Sequence, residues 1–101
     1  MSKYRAIKTE VDGTTFASKK EAKRYQELCL LERAGQIRDL RLQPKFELSV
    51  NGEHICDYIG DFNYVENGKV VIEDTKGVRT PVYRLKKKLV HALYKFDILE
   101  T

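Results

Sequence analysis

Asp61, Asp74 and Lys76 flank a candidate hairpin, and Glu21 stands in a candidate helix upstream. Carboxylates and an ammonium gathered at one place can hold Mg²⁺ or Mn²⁺ and act on a phosphate. Oxygen donors suit these hard ions, and a lysine can orient the attacking water or neutralise charge developing on the phosphorane. The triplet Asp74-Thr75-Lys76 alone says little, because the same pattern recurs as Glu21-Ala22-Lys23. Context separates the two. Asn67-Gly68 is a strong signal for a two-residue type I′ turn, whose central residues both need positive φ. Closing it pairs Glu66 with Lys69, Val65 with Val70, Tyr64 with Val71, Asn63 with Ile72, Phe62 with Glu73, and Asp61 with Asp74. Opposed residues share a face with Cβ atoms about 4.5–5.5 Å apart, where like charges destabilise the pair. Lys76 points the same way as Asp74, and Glu73 the other way. A divalent cation would relieve the repulsion. A register displaced by one residue would set Glu73 opposite Asp61 instead.

The elements that must carry these groups are legible in outline. Ser18 and Glu21 form a capping box that opens a helix running to Ala34, with Gly35 as its stop. Its apolar face is Ala22, Tyr25, Leu28 and Cys29; Glu21 falls on the side that meets the sheet, while Lys19, Lys20, Lys23 and Arg24 lie away from it. Capping alone would also account for Glu21. Leu40 to Val50 reads as a first strand, Asn51-Gly52 as a second tight turn, and Glu53 to Val65 as a long second strand in which Gly60 marks a bulge or a close backbone approach. Lys69 to Lys76 forms the third strand, whose Val70-Val71-Ile72 run predicts burial on both faces. Thr80 caps a second helix with Pro81 at its first position and Val82, Leu85, Leu89 and Leu93 as its apolar stripe; Lys95 to Leu99 is a short last strand. The order is α-β-β-β-α-β, and residues 1–15 read as a mobile basic arm.

At 101 residues the chain makes one small domain, and no apolar run approaches the ~20 residues of a membrane span. The start Met1-Ser2-Lys3-Tyr4-Arg5 lacks the apolar stretch of a signal peptide, so a cytoplasmic protein is expected. Cys29 and Cys56 have no metal-binding spacing and read as free thiols; His54 and His91 read as surface or packing residues. The net charge of +4 is unevenly placed. Residues 1–45 hold eleven basic and six acidic side chains, residues 46–78 two and seven, and residues 79–101 six and two. Basic flanks around an acidic centre suit a protein that attracts a polyanion and holds a metal at the reacting phosphate, although Lys/Arg-rich helices also arise for solubility alone.

Gly60-Asp61, then Glu73-Asp74-Thr75-Lys76 on the next strand, with a Ser18-x-x-Glu21 helix upstream, resembles the PD-(D/E)xK nuclease superfamily over nearly the whole chain. More narrowly, the run from Phe16 to Glu21 through Tyr83 to Lys88 is similar to small phage-encoded members of it. A helix glutamate placed like Glu21 is also found in archaeal Holliday junction resolvases. Gly60 stands where the motif has proline, and Asp74 where many members have glutamate; the motif tolerates both. The resemblance implies an α+β, restriction-endonuclease-like core with a mixed central sheet flanked by helices, acting as a Mg²⁺- or Mn²⁺-dependent endonuclease on DNA, branched DNA included, as a homodimer. Asp61, Asp74, the Thr75 carbonyl and Glu21 would hold the metal, and Lys76 would assist at the phosphate. Lys86 would contact a phosphate near the cut, and Arg79, Arg84, Lys87, Lys88, Lys19 and Lys20 would carry backbone contacts. Two other readings stand beside this one: a non-catalytic nucleic-acid-binding module that keeps the fold, and an accessory protein with no affinity for DNA.

Overall fold

A computed structural model describes residues 8–75 and 78–101 as an α+β domain. Residues 1–7 of the expected arm, and Lys76 and Gly77, lie outside the described residues. The elements are β1 (Thr9–Val11), β2 (Thr14–Phe16), α1 (Lys19–Arg33), β3 (Arg38–Leu42), β4 (Lys45–Val50), β5 (Glu53–Ile59), β6 (Phe62–Glu66), β7 (Lys69–Asp74), α2 (Pro81–Tyr94) and β8 (Ile98–Glu100). A mixed sheet of order β3-β6-β7-β8 forms the centre, antiparallel except for the β7–β8 pair, and β1-β2 and β4-β5 form separate two-stranded ribbons.

Local chemistry accounts for most of these elements. Asn67 and Gly68 take φ of 53° and 76°, and the β6–β7 ladder runs from Glu66↔Lys69 to Phe62↔Glu73 in the expected register. Asn51-Gly52 closes β4–β5 likewise, with φ of 51° and 81°. The Ser18 hydroxyl accepts from the Glu21 amide at 3.1 Å, and the Thr80 hydroxyl accepts from the Tyr83 amide at 3.1 Å, capping the two helices. Lys95, at φ 63°, ends α2, so the last strand begins at Ile98, later than the sequence reading has it.

Several expectations are corrected. Residues 9–16 form a hairpin through Asp12-Gly13 and contribute Val11 and Phe16 to the core, so this part of the arm is structured. The single first strand is two, β3 and β4, because Gln43 adopts φ 50° and Pro44 supplies no amide for pairing. The long second strand is also two. It breaks at Gly60-Asp61, where the Gly60 amide donates to the Pro44 carbonyl at 3.0 Å and the Gln43 amide to the Asp61 carbonyl at 2.9 Å. That crossing lets β5 leave one sheet and β6 enter another. Val70, near the hairpin tip, is exposed, not buried on both faces. On α2, Tyr83 and Val90 face the core, whereas Val82, Leu85 and Leu93 of the expected stripe are exposed.

The two faces of the central sheet carry separate cores. Phe62 and Tyr64 pack with Phe16, Ala22, Leu28 and Ile37 on the α1 side. Ile72 and Ile98 pack with Leu48, Tyr58, Tyr83 and Val90 on the other. The alternation therefore sends Glu73 toward α1 and Asp74 toward β5 and α2.

Candidate functional site

The end of the β6–β7 hairpin away from its turn gathers the carboxylates. Regular pairing stops at Phe62↔Glu73, so Asp61 does not face Asp74 across a regular ladder. Its amide instead donates to the Glu73 carbonyl at 3.0 Å, and its Oδ2 accepts from the Thr75 amide at 2.6 Å. An amide that a continued ladder would have paired to backbone is thus held by a side chain, which fixes Asp61 beside the end of β7. Asp74 is 2 % exposed, and its Oδ2 accepts from the Tyr58 hydroxyl at 2.6 Å. Burial and that carboxylate raise the phenol's pKa, so Tyr58 stays protonated and remains a donor throughout the working pH range. Tyr58 was not singled out in the sequence; only the β4–β5 ribbon folding under the sheet brings it to Asp74.

Glu21 reaches this end from the third position of α1 and is 9 % exposed. Its pKa is raised, first by burial and then by the negative charges of Asp61 and Asp74. Glu21 and Asp61 line one cavity of about 170 Å³ with Thr14, Thr15 and Gln43, so the N-terminal hairpin walls the acidic site. Among the described residues, however, no three His, Cys, Asp or Glu side chains stand close enough to hold a metal ion together. The donor chemistry, buried carboxylate oxygens in mutual repulsion, fits a hard divalent cation. Mg²⁺ commonly retains several waters and needs only one or two carboxylates, so a chelating triad is not required. The Thr75 hydroxyl lies 3.3 Å from that of Thr101.

Arg24 departs from expectation. Its wheel position lies away from the apolar face of α1, but its Nε and Nη2 donate to both oxygens of the fully buried Glu73 at 2.8 and 2.7 Å, and the Tyr64 hydroxyl donates to the same carboxylate. The hydrogen bond to Glu73 raises the guanidinium's pKa further. A bidentate fork answers a buried carboxylate in full, so Glu73 is a structural acid on the face opposite Asp74.

The basic residues divide. Lys19 and Lys20 are exposed at the start of α1, close in sequence to Glu21. Lys86 lines a cavity of about 280 Å³ with Tyr58, Ile59 and Tyr83, on the side of Tyr58 that faces α2. Arg79, Arg84, Lys87 and Lys88 line another, with Tyr83 common to both. Arg79 and Lys87 bind Glu100 at 2.7 and 3.3 Å. The Tyr83 hydroxyl also donates to Glu100 at 2.7 Å, and this bond, ahead of the two cations, lowers the carboxyl's pKa. His54 and His91 pair with Asp57 and Asp97 at the surface, and Cys29 and Cys56 are free thiols. No helix among the described residues is long and apolar enough to cross a membrane.

No curated protein matches this chain. A family model does match, along almost its whole length: over residues 1–99 the chain belongs to the family described as protein of unknown function DUF1064.

Proposed function

We propose that this protein is a metal-dependent endodeoxyribonuclease with a restriction-endonuclease-like core, hydrolysing DNA phosphodiester bonds in the cytoplasm. The observation that carries the reading is that buried Glu21 of α1 shares a cavity with Asp61, just before β6, and that the charges of Asp61 and of Asp74, at the end of β7, add to burial in raising its pKa. A fold that needed these groups only for stability would gain by separating them. The architecture supports it: the mixed sheet of β3, β6, β7 and β8 lies between α1 and α2, with its last strand parallel to β7.

Bound Mg²⁺ or Mn²⁺ would lower the pKa of a coordinated water and neutralise charge on the phosphate. Asp61 and Asp74, with the Thr75 carbonyl, are the residues to hold it, and Glu21 completes the set directly or through water. Tyr58 keeps Asp74 in one orientation, and the Thr75 amide does the same for Asp61. Lys76 follows two residues after Asp74 and would support the attacking water. Lys86, Lys19 and Lys20 would meet phosphates on either side. A homodimer belongs to this reading, with exposed Val82 and Leu85 on α2 as the apolar surface a second copy would cover.

One observation favours the alternative of a non-catalytic nucleic-acid-binding module. Asp61 and Asp74 each accept a short hydrogen bond from the protein, and no three acids close into a chelate among the described residues. Cleavage of labelled four-way junction, flap and linear duplex DNA with Mg²⁺ or Mn²⁺, against EDTA and Asp74→Ala, separates the two. Metal-dependent cutting that Asp74→Ala abolishes establishes the hydrolase; binding without cutting on every substrate establishes the module.

A further inference from the structure

A cavity of about 590 Å³ lies between α2 and β8, the edge strand of the central sheet. Its volume falls in the range of roughly 300–1,000 Å³ typical of sites that enclose a ligand. Arg84, Lys87 and Lys88 project into it from successive turns of α2, and Arg79 stands just before that helix. Both carboxylates of the cavity are answered from within, Glu100 by Arg79 and Lys87, and Asp97 by His91 at 2.9 Å. Arg84 and Lys88 make no ion pair among the described residues, which leaves two cations for a ligand. The floor differs in kind: half-buried Phe96 lies there with Ile98 and the ring of Tyr83.

We propose that this groove binds a single-stranded segment of nucleic acid, with phosphates on Arg84 and Lys88 and a base against Phe96. Cationic rim and aromatic floor together match a strand whose bases are unstacked and offer their π-faces. A duplex keeps its bases inside and would use the rim alone. A peptide added to the sheet edge is disfavoured, since β8 is only three residues long and offers little backbone to pair.

The groove ends at Glu100, one strand from Asp74. Glu100 is in register with Asp74 across β7–β8, one strand spacing of about 4.8 Å. The Tyr83 ring that walls the groove lies 6.4 Å from the ring of Tyr58, which holds Asp74. A strand in the groove therefore leaves it beside the carboxylates, and the preferred substrate is DNA with a single-stranded arm next to the bond cut. This deepens the hydrolase reading and rests on it for the direction of the strand, while binding in the groove does not depend on cutting.

Fluorescence anisotropy in EDTA, with a labelled single strand of about 12 nucleotides, the matching duplex and an abasic strand, tests the groove without catalysis. The single strand should bind at least about fivefold more tightly than the abasic one, the loss expected from one stacked base. Arg84→Ala/Lys88→Ala should weaken single-strand binding about tenfold and lower its salt slope by about 1.4, the value for two phosphate contacts on a single strand. The control Lys23→Ala/Lys69→Ala removes the same charge from exposed positions outside the groove and should change little. Circular dichroism checks that each variant is folded. Equal affinity for abasic and ordinary strands, or equal losses in the two double variants, overturns the groove. Cutting that persists beside either result leaves the hydrolase standing; groove binding with no metal-dependent cutting removes the hydrolase and keeps the groove.

Discussion

Glu21 brings a buried carboxylate toward two aspartates, and burial first, then their charges, raises its pKa. The helix N-terminus favours the anion by about 0.3–1 kcal/mol, but burial and the two aspartates act more strongly in the opposite direction. A carboxyl whose folded pKa lies above its unfolded value destabilises the fold when ionised, and the penalty is relieved as pH falls through the folded pKa toward the unfolded one. Glu21→Gln should therefore raise the melting temperature at pH 7 by roughly a few degrees. The advantage over the native protein should shrink as pH is lowered toward the ordinary glutamate range. In the same variant, DNA cleavage should fall steeply. Thermal melts across pH, run beside the cleavage assay, show both. A variant less stable at neutral pH would contradict the burial penalty, since glutamine keeps the capping box. The capping box was visible in the sequence; the burial behind it was not, because Ser18-x-x-Glu21 reads the same on an exposed helix.

At the scale of the element, Arg24 ties α1 to β7. Removing one partner of a buried ion pair leaves the other charge uncompensated, so Arg24→Ala should cost about 3–5 kcal/mol in denaturant unfolding. Replacing both Arg24 and Glu73 with apolar residues of similar volume should recover most of it, and a double variant as weak as the single one would contradict the pairing. The β5–β6 crossing makes a second demand. A Cβ on Gly60 would meet Ile72 Cγ2 at 3.2 Å, the Tyr58 hydroxyl at 3.3 Å and the Glu73 carbonyl at 3.5 Å. Gly60→Ala should therefore cost about 1–3 kcal/mol through overpacking and, by displacing Tyr58, disturb Asp74. Unfolding titrations of this variant give the stability term directly. Proline at this position would fit worse, since the Gly60 amide donates to the Pro44 carbonyl. That contact is a physical reason for glycine where the resembled motif has proline.

The whole molecule sets an acidic sheet end between basic surfaces, and a divalent cation should stabilise it. Ligand that binds only the folded state adds about 2.7 kcal/mol at a hundredfold excess over its dissociation constant. Millimolar Mg²⁺ or Mn²⁺ should raise the melting temperature of the native protein, and Asp61→Asn or Asp74→Asn should remove most of that rise. Calorimetry without DNA reads this apart from any catalysis; a melting temperature indifferent to both ions would favour the non-catalytic module.

What the sequence by itself determined is local. The Asn51-Gly52 and Asn67-Gly68 turns, the Ser18 and Thr80 caps and the hairpin register from Glu66↔Lys69 to Phe62↔Glu73 all follow from backbone preferences of neighbouring residues. So did the opposite orientations of Glu73 and Asp74, because side-chain direction alternates once register is set. Tertiary structure decided the rest. Gly60 marks a close backbone approach within Glu53 to Val65, but the division into strands of two sheets comes from amide bonds to Pro44 and Glu73, distant in sequence. Periodicity offers α2 a stripe at Val82, Leu85, Leu89 and Leu93, of which Leu89 packs on the core; the core otherwise takes Tyr83 and Val90, whose neighbours Tyr58 and Ile72 arrive from strands. The wheel position of Arg24 lies away from the apolar face of α1, yet its guanidinium is the counter-ion that buried Glu73 receives. A sequence specifies which residues are apolar and where the chain turns; which charges become buried depends on what packs against them, and that is a property of the assembled fold.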